Sequence, residues 1–239
     1  MKKYGLILAL LMASFNASAF SFGNDTFKFT GDAYIDGTSS PTETFGIGRV
    51  STITQGSNII WASGQEGKYL NFVFGGYTPL IAPAPPLSNF AATGGFVDFY
   101  YSNSASTFDT LSNFSVASAA ITSGELFLST VAVGSTIGVA TPVSYSANGF
   151  LDVVGGLFAS QLNTNNRATF LSGVFSDLSI GLVGANNTNP LVNSQYSYIS
   201  SVDAQGASII PTKIPEPGML MMLGLGLLAM GFVTRKQSV

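Results

Sequence analysis

The residues that could do chemistry in this chain are few, because it contains neither histidine nor cysteine. Their absence excludes cysteine nucleophiles, imidazole bases, Ser-His-Asp triads and ordinary zinc sites. Carboxylates remain: Asp98, Glu125 and Asp152 lie on different predicted strands. Two of them meeting in a cleft would give the acid and base of a glycoside hydrolase or lyase. We favour the simpler interpretation, solvated sheet faces, and therefore expect no catalytic residues and no enzyme.

A second group of acidic residues offers oxygen ligands to a cation. Asp32 and Asp36, the latter followed by Gly37, carry the carboxylates that calcium prefers. Their spacing matches no complete calcium loop. Turn chemistry is the favoured interpretation, so the sequence predicts no metal site and no cofactor.

The single tryptophan, Trp61, is the candidate sugar contact. An exposed indole stacks on sugar rings, and the face could be shared with tyrosines, namely Tyr69, Tyr77, Tyr100 or Tyr101. A lone tryptophan in a sheet protein more often belongs to the core, because its large apolar ring gains most from burial. Both interpretations stay open at this point.

These side chains must be positioned by β-strands, because apolar residues between 20 and 211 recur with a period of two. Leu70, Phe72 and Phe74 fall on one face of such a strand. Turn sequences rich in glycine and asparagine separate the segments, and no amphipathic helix is predicted. The pattern predicts an all-β fold, an antiparallel β-sandwich or jelly-roll-like domain over residues 20–211. Further strands are predicted at 96–101, 125–131, 150–154 and 169–182, with Leu126 and Leu128 inward in the second of these.

The charge of this central region excludes one class of partner. Between residues 20 and 211 the chain has four basic and eleven acidic residues, a net charge of −7. Nucleic-acid binding depends on neutralising phosphates with Lys and Arg. We therefore expect no nucleic acid, and regard a neutral polymer matrix or divalent cations as more plausible partners.

The amino-terminal residues have the pattern of a secretory signal peptide. A positively charged start and the apolar run 6–13 precede the small-x-small sequence formed by Ala17 and Ala19. Cleavage there would make Phe20 the first residue of the mature chain. The sequence therefore predicts a signal peptide over 1–19 and export.

The carboxyl-terminal residues 212–239 begin with a short proline motif. Pro215, Glu216 and Pro217 form an extended stretch, because proline cannot lie inside a helix. The uncharged run 219–233 follows. As a helix it would be about 22 Å long, at roughly 1.5 Å per residue, which is short of the about 30 Å of a bilayer core. We therefore expect transient membrane contact through this run.

Arg235 and Lys236 follow the apolar run as a basic tail that would remain cytoplasmic. The proline motif, the glycine-rich apolar run and this tail together resemble the PEP-CTERM sorting domain. The resemblance implies recognition by exosortase, a membrane enzyme of Gram-negative bacteria that make exopolysaccharide. It further implies removal of the tail near the motif and delivery to the cell surface or extracellular matrix. The body would sit close to the membrane beforehand, because the linker is very short.

Parts of the body within residues 45–180 resemble the flocculation-associated branch of PEP-CTERM proteins. That resemblance implies a role in cell aggregation with exopolysaccharide and brings no catalytic residues with it. The stretches that carry it, in chain order, are 46–50, 61–65, 72–77, 94–100, 124–128 and 149–153.

The sequence therefore favours a non-enzymatic surface or matrix protein that acts in biofilm or floc formation. The alternative is a secreted carbohydrate-binding module that grips matrix polysaccharide through aromatic residues such as Trp61. A glycoside hydrolase or lyase is the third and weakest hypothesis, since the sequence offers no definite carboxylate pair.

Overall fold

The computed structural model describes residues 26–36, 43–81, 88–105, 108–141 and 143–208. Their short helices are α1 (Phe114–Thr122) and α2 (Ala159–Leu162), with a 3₁₀ turn at Gln65–Gly67. The strands are β1 (Thr26–Asp36), β2 (Thr44–Gln55), β3 (Asn58–Ala62), β4 (Tyr69–Ile81), β5 (Ser88–Thr93), β6 (Phe96–Ser102), β7 (Glu125–Ala132), β8 (Ser135–Ala140), β9 (Ser144–Gly155), β10 (Arg167–Ala168), β11 (Phe175–Ser176), β12 (Leu178–Asn186) and β13 (Tyr198–Ala207).

Eleven of these strands form one antiparallel sheet that closes on itself. The ring runs β2–β1–β13–β12–β9–β7–β6–β4 and returns to β2 through the pairing of β2 with β4. Its connectivity is a meander, in which strands that follow one another in the chain lie side by side. Closure joins the first and last described strands, since Thr26 lies opposite Ala207.

The three remaining strands of this sheet lengthen the ring. β5 pairs with β4 beyond the end of β6, and β8 pairs with β9 beyond the end of β7. β5 and β8 also pair with each other. β3 pairs with β2 beyond the segment of β2 that pairs with β4. β10 and β11 form a separate two-stranded hairpin.

The core lies between the two halves of the ring. The Phe29 ring of β1 lies 5.6 Å, between centroids, from Phe99 of β6 and 6.1 Å from Phe127 of β7 on the opposite half. Side chains of the two halves therefore meet face to face, and the predicted all-β antiparallel sandwich is confirmed.

A second cluster covers the outer surface of the ring. Helix α1 places Ala117 and Ile121 on outward side chains of β1, β2 and β4, and both helix residues are fully buried. The sheet contributes Tyr34, Ile47 and Val73 to this cluster, and segment 187–197 contributes Val192 and Tyr196.

The period-two prediction holds for β4 and needs correction in β7. Leu70 and Phe72 are buried in the core as expected. In β7, Phe127 and Leu128 are both buried, and Leu126 is only partly so. The register shifts between Phe99 and Tyr100 on the neighbouring strand. A β-bulge of this kind changes which side chains face inward, so alternation alone misassigned Leu126.

Two further sequence predictions were wrong. Helix α1 is present where no helix was expected, because its nine residues are stabilised mainly by packing on the sheet. The predicted strand 169–182 is interrupted: residues 169–174 form the turn of the β10–β11 hairpin, and β12 is a separate strand. The glycine at position 173 has φ of 79°, which explains the turn at this point.

Candidate functional sites

The residues predicted to direct export and processing lie outside the described part of the chain. They are Ala17, Ala19 and Phe20 at the amino-terminal end, and Pro215, Glu216, Pro217, Arg235 and Lys236 at the carboxyl-terminal end. The described sites are therefore those of the body. Within the described residues, no helix is long and apolar enough to cross a membrane.

Trp61 belongs to the core, which corrects its interpretation as a sugar contact. Its side chain is only 4% exposed, and its ring packs edge-on against Tyr101 with centroids 6.5 Å apart. β3 turns this residue inward, where the indole gains the free energy of burial. A sugar ring has no open indole face to stack on.

The two candidate calcium ligands of β1 have different surroundings. Asp32 accepts hydrogen bonds from Arg49 Nε at 3.2 Å and Nη2 at 3.1 Å on the outer surface. Asp36 is 1% exposed, and Gly37 lies outside the described residues. In the described part of the chain no three acidic side chains come together as a metal site.

The three carboxylates considered for catalysis are not brought together. Asp98 accepts a hydrogen bond from Ser129 Oγ of the neighbouring strand at 2.7 Å. Glu125 lies opposite Tyr101 and precedes Ser129 by four residues on β7. The backbone positions of Glu125 and Ser129 are therefore about 13 Å apart, at roughly 3.3 Å per residue. Asp152 lies on β9, two strands from Asp98. Strand pairing therefore places the three carboxylates at separate positions in the sheet.

A different carboxylate, Asp177, holds a buried site that the sequence did not indicate. Its Oδ2 accepts the backbone N–H of Val153 at 2.7 Å, and its Oδ1 accepts those of Thr164 at 2.5 Å and Asn165 at 2.6 Å. Asp177 is 1% exposed. This carboxylate joins the end of β9 to the chain after α2. The turn-forming residues before Asp177 are the only local signal of this site in the sequence. Its hydrogen-bond donors are 12 to 24 residues away along the chain.

Asp152 lies close enough to Asp177 for the two charges to interact. Burial, and then the charge of Asp177, raise the pKa of Asp152 above its ordinary value. One oxygen of Asp152, Oδ1, is buried without a hydrogen-bond partner. A raised carboxyl pKa is common at catalytic sites. Here, however, the neighbouring carboxylate is fully occupied by backbone N–H groups, which fits a structural role.

The carboxyl-terminal segment is similar to a known family of sorting signals. The family model of the PEP-CTERM protein-sorting motif matches residues 213–236. The chain carries a PEP-CTERM sorting motif. It is therefore an exported protein that exosortase processes, with a destination at the cell surface or in the extracellular space beyond the inner membrane. No curated protein and no solved structure matches the chain.

The PEP-CTERM motif includes the predicted residues Pro215, Glu216 and Pro217 and both basic residues of the tail. The body contributes a closed sheet.

Proposed function

We propose that the mature protein acts non-enzymatically in an exopolysaccharide matrix, where it promotes biofilm or floc formation and cell aggregation in a Gram-negative host. The observation that carries this proposal is the PEP-CTERM motif at 213–236, which sends the chain to the surface or beyond. The resemblance of parts of residues 45–180 to the flocculation-associated branch points to aggregation.

The body of the protein supports a structural role. The chain contains no histidine or cysteine, and Asp98, Glu125 and Asp152 lie apart in the sheet. A sheet closed into a ring leaves few unpaired strand edges, which suits a protein that must persist outside the cell. A direct grip on sugar through Trp61 is not part of the proposal, since that side chain is buried.

The test compares cells that express the wild-type chain, a motif variant and a matched control. Glu216→Ala changes the motif, and Gln237→Ala changes the tail beyond the matched segment. We expect the motif variant to accumulate in the membrane fraction with its tail uncut, and cells carrying it to aggregate less. The control should behave like wild type.

The outcomes separate sorting from aggregation. A motif variant that still reaches the surface would contradict the role of the motif. A motif variant that is retained while aggregation continues unchanged would leave sorting intact and overturn the matrix role. Digestion of the polysaccharide should release the wild-type protein from the cells, and a failure to release it would also contradict the matrix role.

A further inference from the structure

The hairpin formed by residues 167–176 exposes an unusual concentration of apolar surface. Phe170 is 56% exposed, Leu171 is 55% exposed and Phe175 is 52% exposed. These two phenylalanines are the only ones in the described part of the chain that are exposed to this degree. Clustered apolar exposure of this kind marks a contact site rather than ordinary surface. We call residues 167–176 the apolar hairpin.

The apolar hairpin has a defined structure that presents these side chains. Thr169 N–H donates to the carbonyl of Val174 at 3.0 Å, which closes the turn. The Phe170 ring packs edge-on against Phe150 of β9, with centroids 4.7 Å apart. One side of the hairpin is therefore fixed on the sheet, and the other side still faces outward.

The apolar hairpin carries one charge, that of Arg167, and the carboxylate of Asp177 that follows it is buried on backbone N–H groups. Arg167 is the only charged residue between 153 and 176. Within the described residues it forms no ion pair, since those present join Lys28 to Asp203 and Arg49 to Asp32. A guanidinium in the same hairpin as exposed phenylalanine and leucine side chains is suited to the boundary between phosphate headgroups and acyl chains.

The apolar hairpin directly precedes β12, whose first residue pairs close to the end of the last described strand. β11 ends at Ser176, and Leu178 at the start of β12 pairs with Gly206 of β13. β13 ends at Ala207. Six residues, 209–214, then separate the described chain from Pro215. They span at most about 20 Å when fully extended, at about 3.4 Å per residue.

We propose that the apolar hairpin rests on the phospholipid surface while the sorting segment is held at the membrane. Phe170, Leu171 and Phe175 would enter the headgroup boundary, and Arg167 would pair with lipid phosphate. This contact adds a second, weak attachment before processing and is released when the tail is cut. The inference relies on the sorting motif for its location and is independent of the matrix role.

The cysteine-free chain allows a direct test on the full-length precursor. A single cysteine is introduced as Leu171→Cys, or as Val183→Cys in the control, and labelled with an environment-sensitive fluorophore. Val183 is 65% exposed on β12, away from the apolar hairpin. Each protein is reconstituted into vesicles of phosphatidylethanolamine and phosphatidylglycerol, with and without lipids that carry a nitroxide quencher.

The label at 171 should show a blue-shifted emission and be quenched by the nitroxide lipids, and the label at 183 should remain in water. Adding Arg167→Gln should reduce the quenching at 171 in phosphatidylglycerol vesicles. Two water-exposed labels in an anchored chain would overturn the proposal. A blue shift at 171 that grows with protein concentration in lipid-free detergent solution would also overturn it, in favour of contact with a second copy.

Discussion

At the scale of single residues, the buried carboxylate of Asp177 is held by backbone N–H groups. Asp177 accepts three backbone N–H groups, and no lysine or arginine is required to stabilise it. Hydrogen bonds to a charged acceptor are stronger than those to a neutral one. This side chain therefore fixes the path of the chain between β9 and β12.

Replacing this carboxylate should destabilise the fold strongly. Asp177→Ala leaves three buried N–H groups without an acceptor, and we expect a loss of about 3 to 5 kcal/mol in the free energy of unfolding. Denaturant unfolding followed by the fluorescence of Trp61, which is buried, measures this loss. The control is Asp109→Ala, which removes an exposed carboxylate bonded to Leu111 N–H and Ser112 Oγ. Equal losses in both variants would contradict the special role of Asp177.

Asp152 should make stability depend on pH. Burial and the nearby Asp177 raise its pKa in the folded state, so the folded protein holds this proton more tightly than the unfolded chain. Its stabilising contribution is present below the ordinary pKa of 3.8 and is lost as pH rises through the raised folded pKa.

The measurement compares wild type with Asp152→Asn across that window. Asparagine is neutral at every pH, so the variant should gain stability relative to wild type as pH rises from 3.8 and reach a plateau above the folded pKa. Unfolding free energies at a series of pH values give this difference. A difference that does not change with pH would show that the charge of Asp152 has no influence on folding.

At the scale of elements, glycine leaves room for an aromatic ring on the neighbouring strand. Gly48 of β2 lies opposite Phe72 of β4. A Cβ at this position would lie 2.0 Å from Phe72 Cζ. The strand therefore needs a residue without a side chain, in order that the aromatic ring can fill the space above it.

Gly48→Ala should cost about 1 to 3 kcal/mol in the free energy of unfolding, because it overpacks the core. Gly155→Ala is the matched control, since the nearest atom to a Cβ there is 3.8 Å away. We expect the control to change stability by no more than about 0.5 kcal/mol. Thermal or denaturant unfolding of both variants tests the difference, which would vanish if Phe72 could move aside freely.

Helix α1 depends on its amino-terminal cap. Asn113 Oδ1 accepts the N–H of Val116 at 3.0 Å. Asn113→Ala should therefore lower the free energy of unfolding by about 1 kcal/mol, and Asn113→Asp should restore most of it because aspartate caps equally well. The same unfolding assay measures both, and an Asp variant as unstable as the Ala variant would exclude capping as the cause.

At the scale of the whole molecule, ring closure brings the two ends of the described body together. β1 and β13 pair along ten residues, from Thr26 opposite Ala207 to Ile35 opposite Tyr198. Of the strands described in the large sheet, β3 alone has a single neighbour. Its Ala62 N–H is occupied by Gln65 Oε1 at 3.2 Å, which leaves little edge for unwanted pairing.

Processing should leave this body with two new ends. We expect the intact mass of protein recovered from the cell surface to correspond to a chain that begins at Phe20 and lacks the apolar run 219–233 and the basic tail. Mass spectrometry of wild type locates both ends, and the Glu216→Ala variant provides the uncut reference. A recovered chain that still contains 219–233 would contradict removal of the tail.

The sequence by itself determined the fold class and the sorting motif, because both depend on local order along the chain. Alternation with a period of two predicts strands wherever it is regular, as at Leu70 and Phe72. The sorting motif is a short linear segment, and its parts are recognised by their order alone.

Only the tertiary structure decided which residues meet. The bulge at Phe127, the burial of Trp61 and the separation of Asp98 from Glu125 follow from how strands pair. The N–H donors that bind Asp177 come from segments 12 to 24 residues away. Such contacts depend on register and ring closure, which arise from the packing of the whole sheet and leave no periodic trace in the sequence.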